Sequence, residues 1–273
     1  MSRRPSRPVR VLTSALASAT LLTTAACSDD ETGSRASEVA ASRLAAQPTT
    51  ASPSPSPTLT EAGARAALIT EADLEDDWTR VANADRWDDR LLIGRVDVAD
   101  FVTAKADAAD CQRLLDALYD DDLLGRPAGA SALAGFQMGD SRLLHQVAAY
   151  DRDQLDDSLA WMNDLPVTCD RFTATDPSGG QRTVEVIETS VPDVGDARQG
   201  LHVTVQGTTA GAPATLTLDI AAVRVGADAI TVTAGGLAGG EDDSMEQAAR
   251  QGTQRLQDVL AGKTPSPQPG EFD

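Results

Sequence analysis

Apolar positions recur along this chain with two different periods, and the alternation between them predicts its elements. Cys111, Leu114, Leu115 and Leu118 fall at i, i+3, i+4 and i+7, the stripe of an amphipathic helix over about 103–120. Residues 61–70 are helical in composition. Leu155, Leu159 and Met162 share one face of another helix, with Asp153 as its N-cap and Pro166 as its expected stop. Met245, Ala249, Gly252, Leu256 and Val259 stripe a C-terminal helix, for which Ser244 and Gln247 form a capping box. Between these lie strand patterns. Runs 131–138 and 142–150 flank Gly139-Asp140-Ser141, a hairpin signal, and Cys169 opens a strand over about 168–174. Val184 and Val186, then Leu201, Val203 and Val205, alternate with polar neighbours. The longest run, 215–225, turns at Gly226-Ala227-Asp228 into 229–233. Helices interspersed with mostly hairpin-linked strands predict an α+β fold, an antiparallel sheet flanked by helices, in one domain over 61–261.

The first residues follow another pattern. Arg3, Arg4, Arg7 and Arg10 precede an apolar run from Val11 to Leu22, and two alanines then lead into Cys27. A basic start, a short apolar core and small residues before a cut make a secretory signal over 1–26. A cysteine directly after the small residues resembles a bacterial lipobox, in which the thiol is diacylglycerylated. On that reading Cys27 carries two acyl chains, enough for stable anchoring at the extracytoplasmic face of the cell membrane. No second apolar run is long enough to cross a bilayer. Residues 27–60 are Ser, Thr, Ala, Pro and charge, ending in Pro-Ser-Pro-Ser-Pro. Such a segment buries too little apolar surface to order itself and is expected to be a tether. The tail 262–273, with three prolines, is expected to be disordered as well.

Charge narrows the partners. The 273 residues hold 42 acidic and 23 basic side chains, and loss of the four signal arginines takes the formal charge from −19 to −23. A surface so acidic repels nucleic acid and anionic headgroups. Arginine outnumbers lysine 21 to 2, a bias associated with GC-rich, actinobacterial-type genomes. If Cys27 is acylated, Cys111 and Cys169 remain as a pair in an oxidising compartment, and a disulfide between them is expected. Two cysteines and two histidines do not make a structural zinc site, and nothing in the sequence calls for a cofactor.

Catalytic signatures are missing. There is no Gly-x-Ser-x-Gly elbow, no His-Glu-x-x-His, no phosphate-binding glycine loop and no EF-hand spacing. Gly139-Asp140-Ser141-Arg142-Leu143 is like the nucleophile block of GDSL-type hydrolases, which needs a downstream Asp-x-x-His. Gln199 and Arg142 stand at that spacing before His202 and His145. His202 lies on the polar side of its strand with Thr204 and Gln206 and is read as exposed. His145 shares a face with Leu143 and Val147 and is read as a hydrogen-bonded core histidine. The acid clusters 73–77, 85–89 and 151–157 lack calcium-loop spacing. Strict alternation places Arg224 on the apolar face of Leu216, Leu218, Ile220 and Ala222. Three outcomes are open: a bulge at Ala221-Ala222 resets the phase, the arginine is exposed near the strand end, or a guanidinium points inward to an acid or an anionic ligand. In the last case Arg224 is a candidate ligand-cleft residue.

The order of features also carries a resemblance. Ile69-Thr70-Glu71-Ala72-Asp73-Leu74 is followed by Trp78, then by Cys111 on a helix. Cys169-Asp170-Arg171-Phe172 comes after a second helix, Val223-Arg224-Val225-Gly226 at a hairpin, and a closing helix ends the domain. Over about 65–261 this resembles the PknH-like sensor domains, found outside the membrane on mycobacterial receptor kinases and as stand-alone actinobacterial lipoproteins. The resemblance implies an antiparallel sheet flanked by helices, a cleft for an unidentified ligand and no enzyme activity. The kinase sensor domain carries two disulfides where this chain can form one. The expected function is therefore a membrane-anchored, non-catalytic ligand-binding or sensor module, its partner an unknown small molecule, an envelope component or an envelope protein. A structural or protein-interaction lipoprotein is the alternative from another class, and a hydrolase the third.

Overall fold

In the computed structural model the described residues are 58–74, 78–82, 84, 92–93, 96–97, 104–120, 122–139, 141–176, 179–209, 211–237 and 242–266. Cys27, the tether as far as Pro57, the acid cluster 85–89 with Trp87, and the tail from Pro267 lie outside them, whereas at the end of the expected tether Leu59 is buried and the Thr60 side chain caps α1. Four α-helices are described: α1 (Glu61–Ala67), α2 (Ala109–Asp120), α3 (Arg152–Thr168) and α4 (Asp242–Leu260). The strands are β1 (Thr79–Val81), β2 (Leu92–Ile93), β3 (Val96–Asp97), β4 (Lys105–Ala106), β5 (Ser131–Met138), β6 (Ser141–Ala149), β7 (Arg171–Thr175), β8 (Gln181–Glu188), β9 (Ala197–Thr209), β10 (Ala212–Val225) and β11 (Asp228–Gly236). Nine of them form one antiparallel sheet in the order β1-β5-β6-β11-β10-β9-β8-β7-β4, and β2 pairs with β3 alone. The predicted α+β class is the observed one.

Alternation along the central strands sends side chains to two separate cores, because successive residues of a strand point to opposite faces. Leu216, Leu218, Ile220 and Ala222 of β10 join Leu201, Val203 and Val205 of β9 under α2 and α3. Ala221 and Val223 of β10 join Ile230, Val232 and Ala234 of β11 with α1 and α4 on the opposite face. A strand covered on both sides reads as a continuous apolar run, as 220–223 does.

The first core is closed covalently. Cys111 and Cys169 form a disulfide, Cα atoms 5.6 Å apart, joining the buried stripe of α2 to the end of α3. Arg113 of α2 stacks over the Trp161 ring of α3 at 3.9 Å, a second tie between the same helices. The second core is closed by a buried ion pair. Arg255 of α4 lies 3.2 Å from the Asp73 carboxylate and donates to the carbonyls of Ala66 and Leu68 at the end of α1. Asp73 also accepts from the Thr70 backbone N–H and hydroxyl at 2.7 Å each, which fixes the short helical turn after α1.

Several element boundaries differ from expectation for local reasons. Helix α2 starts at Ala109, because Lys105 and Ala106 ahead of it pair with Thr175 and Ala174 as an edge strand. The N-cap of α3 is Asp151, whose side chain accepts from the Asp153 N–H. Helix α3 also runs two residues beyond Pro166. In the last turn proline costs only the bond to the Met162 carbonyl, while Thr168 donates its hydroxyl to the Asp164 carbonyl and Cys169 its N–H to Leu165. Cys169 consequently caps the helix, and the strand opens only at Arg171. Helix α4 begins at Asp242, so Ser244 sits inside its first turn, where its hydroxyl accepts from the buried Trp78 indole at 3.3 Å.

At the hairpin between β10 and β11 the Asp228 carboxyl is buried, and burial raises its pKa from 3.8 to about 6. A carboxyl with a raised folded pKa stabilises the fold below its unfolded value, and that contribution is lost as pH rises through about 6. The expected result for Asp228→Asn is a gain of about 2 kcal/mol at pH 7.5 and none near pH 4. Urea unfolding at the two pH values measures the difference.

Candidate functional site

Arg224 is the polar residue that the alternation singled out, and its outcome is now fixed. The β10–β11 register runs pair by pair from Thr217↔Gly236 to Val225↔Asp228, with no bulge. The guanidinium therefore points toward α3, with its side chain 11 % exposed. Its Nε lies 3.2 Å from Asp156 of α3 and its Nη1 3.8 Å from Asp196, and it donates to the Gly226 carbonyl. Asp196 in turn accepts from the Gly226 N–H, closing the hairpin onto the start of β9. Two carboxylates of this chain lie at ion-pair distance from the inward arginine and balance its charge, although its buried Nε makes no hydrogen bond.

His145 is a core residue, but it is not hydrogen-bonded as expected. Both ring nitrogens are buried without a hydrogen-bond partner, and the imidazole lies against Gly252 of α4. A Cβ at position 252 would fall onto His145 Nε2, so the apolar stripe of α4 needs a glycine there. Burial, helped by the positive charge of Arg255, pushes the imidazole pKa down to about 3. It is held neutral at physiological pH and has no reach to solvent.

His202 is different. Register pairs it with Asp219 on β10, and its Nδ1 lies 2.6 Å from Asp219 Oδ1. The imidazole side chain is 30 % exposed, whereas the carboxylate is 3 % exposed. A carboxylate only accepts, so Nδ1 carries a proton and donates it to Asp219. Thr204 Oγ1 lies 3.4 Å from that Nε2, two residues along the same strand face. Sequence reasoning placed His202 on the polar side correctly but missed Asp219, which hides between Leu218 and Ile220. The usable signal was an acid in phase with Ala221 and Val223, on a face that is otherwise buried.

A carboxylate, an imidazole and a hydroxyl in sequence are the parts of an acyl-transfer relay. The backbone around them argues against that chemistry. Thr204 is paired with Glu185 on one side and Thr217 on the other, and the same double pairing runs along 201–206. Strand N–H groups engaged in ladders on both sides cannot turn to meet a developing oxyanion. What the arrangement provides is a partly exposed imidazole fixed by Asp219, with the Thr204 hydroxyl beside its Nε2, on a strand paired along both edges.

The hollows of the molecule carry less. One of about 440 Å³ opens beside Arg80, Ala84 and Leu133, one of about 410 Å³ beside Gln112, Arg113 and Asp116 of α2, and one of about 340 Å³ between Asp193 and Gln254. All three are open and partly polar, and neither His202 nor Arg224 lines them. Among the described residues no cluster of three or more His, Cys, Asp or Glu is arranged to hold a metal ion. Nor is any described helix long and apolar enough to cross a membrane.

Comparison with known proteins adds a loose likeness. No protein-family model matches the chain, and no curated protein matches it. The crystal structure of the extracellular domain of PknH from Mycobacterium tuberculosis is similar with a TM-score of 0.42 and 12 % sequence identity, over 76 % of this chain and 99 % of that one. A superposition that loose places no residue of one chain on a residue of the other.

Proposed function

We propose that this chain is an extracytoplasmic, lipid-tethered binding module without catalytic activity, and that its ligand surface is the sheet face around His202. The signal pattern ending at Cys27 supports export and acylation. The Cys111–Cys169 disulfide fits an oxidising compartment. The observation that carries the binding role is the buried Asp219 holding a half-exposed imidazole on a sheet face whose backbone groups are all engaged. Burying a carboxylate to orient one histidine toward solvent is costly unless the fixed nitrogen is used.

Native mass spectrometry of the full chain carrying Cys27→Ser, secreted from an actinobacterial host, tests this reading. The expected result is a reproducible added mass that leaves on gentle denaturation and is lost in His202→Ala and Asp219→Asn. A clean apo mass, repeated after incubation with envelope extracts, overturns it.

A further inference from the structure

The surface around His202 extends well beyond the dyad. On the side of β7–β10 away from α2 and α3, cross-strand register lays out Thr173, Thr183 and Gln206 in one row. The next row carries Thr204 and Thr217, and the next His202 beside Asp219. Helix α4 lies over β10 and β11, and Thr173, Gln206 and Ile187 are exposed, Ile187 by 50 %. These positions carry hydroxyl and amide side chains, exposed at Thr173 and Gln206 and partly exposed at Thr183, Thr204 and Thr217.

The charge of this surface is unlike that of the rest of the chain. In a protein of net charge −19, the exposed charged side chains of these rows are Arg171 and Glu185, direct cross-strand partners of opposite sign, and Arg198 further along β9 is paired with Asp193 at 2.7 Å. A cross-strand pair of this kind neutralises itself locally. Asp219 lies beneath the surface against His202. A cationic ligand would be drawn to the acidic remainder of the molecule, and an anionic one would be repelled by it. Neither gains from a neutral patch. An uncharged ligand rich in hydroxyls does, because Thr, Gln and the fixed imidazole nitrogen offer it both donors and acceptors, and threonine methyls offer small apolar contacts between them.

Area separates this from self-association. Four strands about 4.8 Å apart and three to four side-chain rows about 6.8 Å apart span on the order of 400 Å². A stable dimer buries about 800 Å² per partner. The patch is too small and too polar for a second copy, but it suits a polymer of uncharged polar rings laid along the strands.

Resting on the binding role proposed above, we propose that the β7–β10 face binds an uncharged, polyhydroxylated glycan, with His202, Thr204 and Gln206 as its hydrogen-bonding centre. Affinity electrophoresis of the full Cys27→Ser chain through gels containing dextran, amylose or galactomannan, with alginate as the anionic control, tests it. At least one neutral polysaccharide should retard the chain, with apparent affinity falling at least tenfold in His202→Ala and in Thr204→Val/Gln206→Ala. Thr204→Val/Gln206→Ala should keep the wild-type Tm, since it strands no buried charge. His202→Ala removes the partner of the buried Asp219 carboxylate and should lower Tm, so its affinity is read at a temperature where circular dichroism shows the chain folded. Retardation by none of the three, stronger retardation by alginate, or retardation unchanged in both variants overturns the proposal. If native mass spectrometry still shows a His202-dependent added mass, only the glycan class fails; if that mass is missing too, the binding role fails with it.

Discussion

Replacing both Cys111 and Cys169 by serine is expected to cost about 4 kcal/mol of folding stability. The bridge spans a sequence separation of 58, and the chain-entropy account gives a loop of that length roughly this value. Stability of a single domain is on the order of 5–15 kcal/mol, so the double variant loses a large share of it. The loss has a location as well as a size. Cys111 lies in the buried stripe of α2 with Leu114, Leu115 and Leu118, and Cys169 is the cap residue of α3. Without the bridge, the shared apolar core, Arg113 stacked on Trp161 and a long Arg113–Ser158 hydrogen bond of 3.5 Å still join these helices, and an exposed cation–π contact is worth only about 0.5–1 kcal/mol. The melting temperature should fall by roughly 10 °C, and amide exchange should rise first in α2 and least in β10. A shift of less than about 1 kcal/mol would mean that the two helices are held by packing alone.

Much of this fold was legible because its elements obey simple periods. The stripe from Cys111 to Leu118, the alternation of 201–205 and the 226–228 turn each specify one element, and the structure has them there. The pairing order of nine strands was not legible, since period-2 patterns say which face is buried and not which strand lies next. Boundaries failed where a side chain supplied a bond that propensity ignores. Thr168 carries α3 past Pro166, and the two-residue strand at Lys105–Ala106 depends on an edge that only the assembled sheet offers.

The site was half legible for the same reason. Arg224 could be seen as anomalous from alternation, but its partners come from α3 and from the segment before β9, distant in sequence. His202 could be placed on a polar face. Its meaning changed only when register put Asp219 opposite it, and a pairing between residues 17 apart in sequence cannot be counted out from composition. The same limit applied to the acid cluster at 73–77. Asp73 reads as one carboxylate among several until α4 brings a guanidinium to it.

That last contact sets the second large effect. Arg255→Met keeps a long apolar stem beside α1 but removes the ion pair to Asp73 and the donors to the Ala66 and Leu68 carbonyls. Asp73 is fully buried, so the variant leaves a carboxylate in the core with the Thr70 bonds but without its counter-charge. Removing one member of a buried pair typically costs 3–5 kcal/mol, far more than the pair adds over an apolar replacement. The expected result is a loss of about 3 kcal/mol or more in urea unfolding, with amide protection lost first across 61–74. Asp73→Asn in the Arg255→Met background should recover part of that loss, because it removes the stranded charge while an amide oxygen still accepts from Thr70. The recovery separates electrostatics from packing: if Arg255→Met costs its full amount whether position 73 is charged or neutral, the guanidinium acts through its carbonyl bonds and its stem. If the double variant is the more stable of the two, the charge pair explains why a buried acid and a buried arginine persist between α1 and α4, where two apolar side chains would otherwise serve.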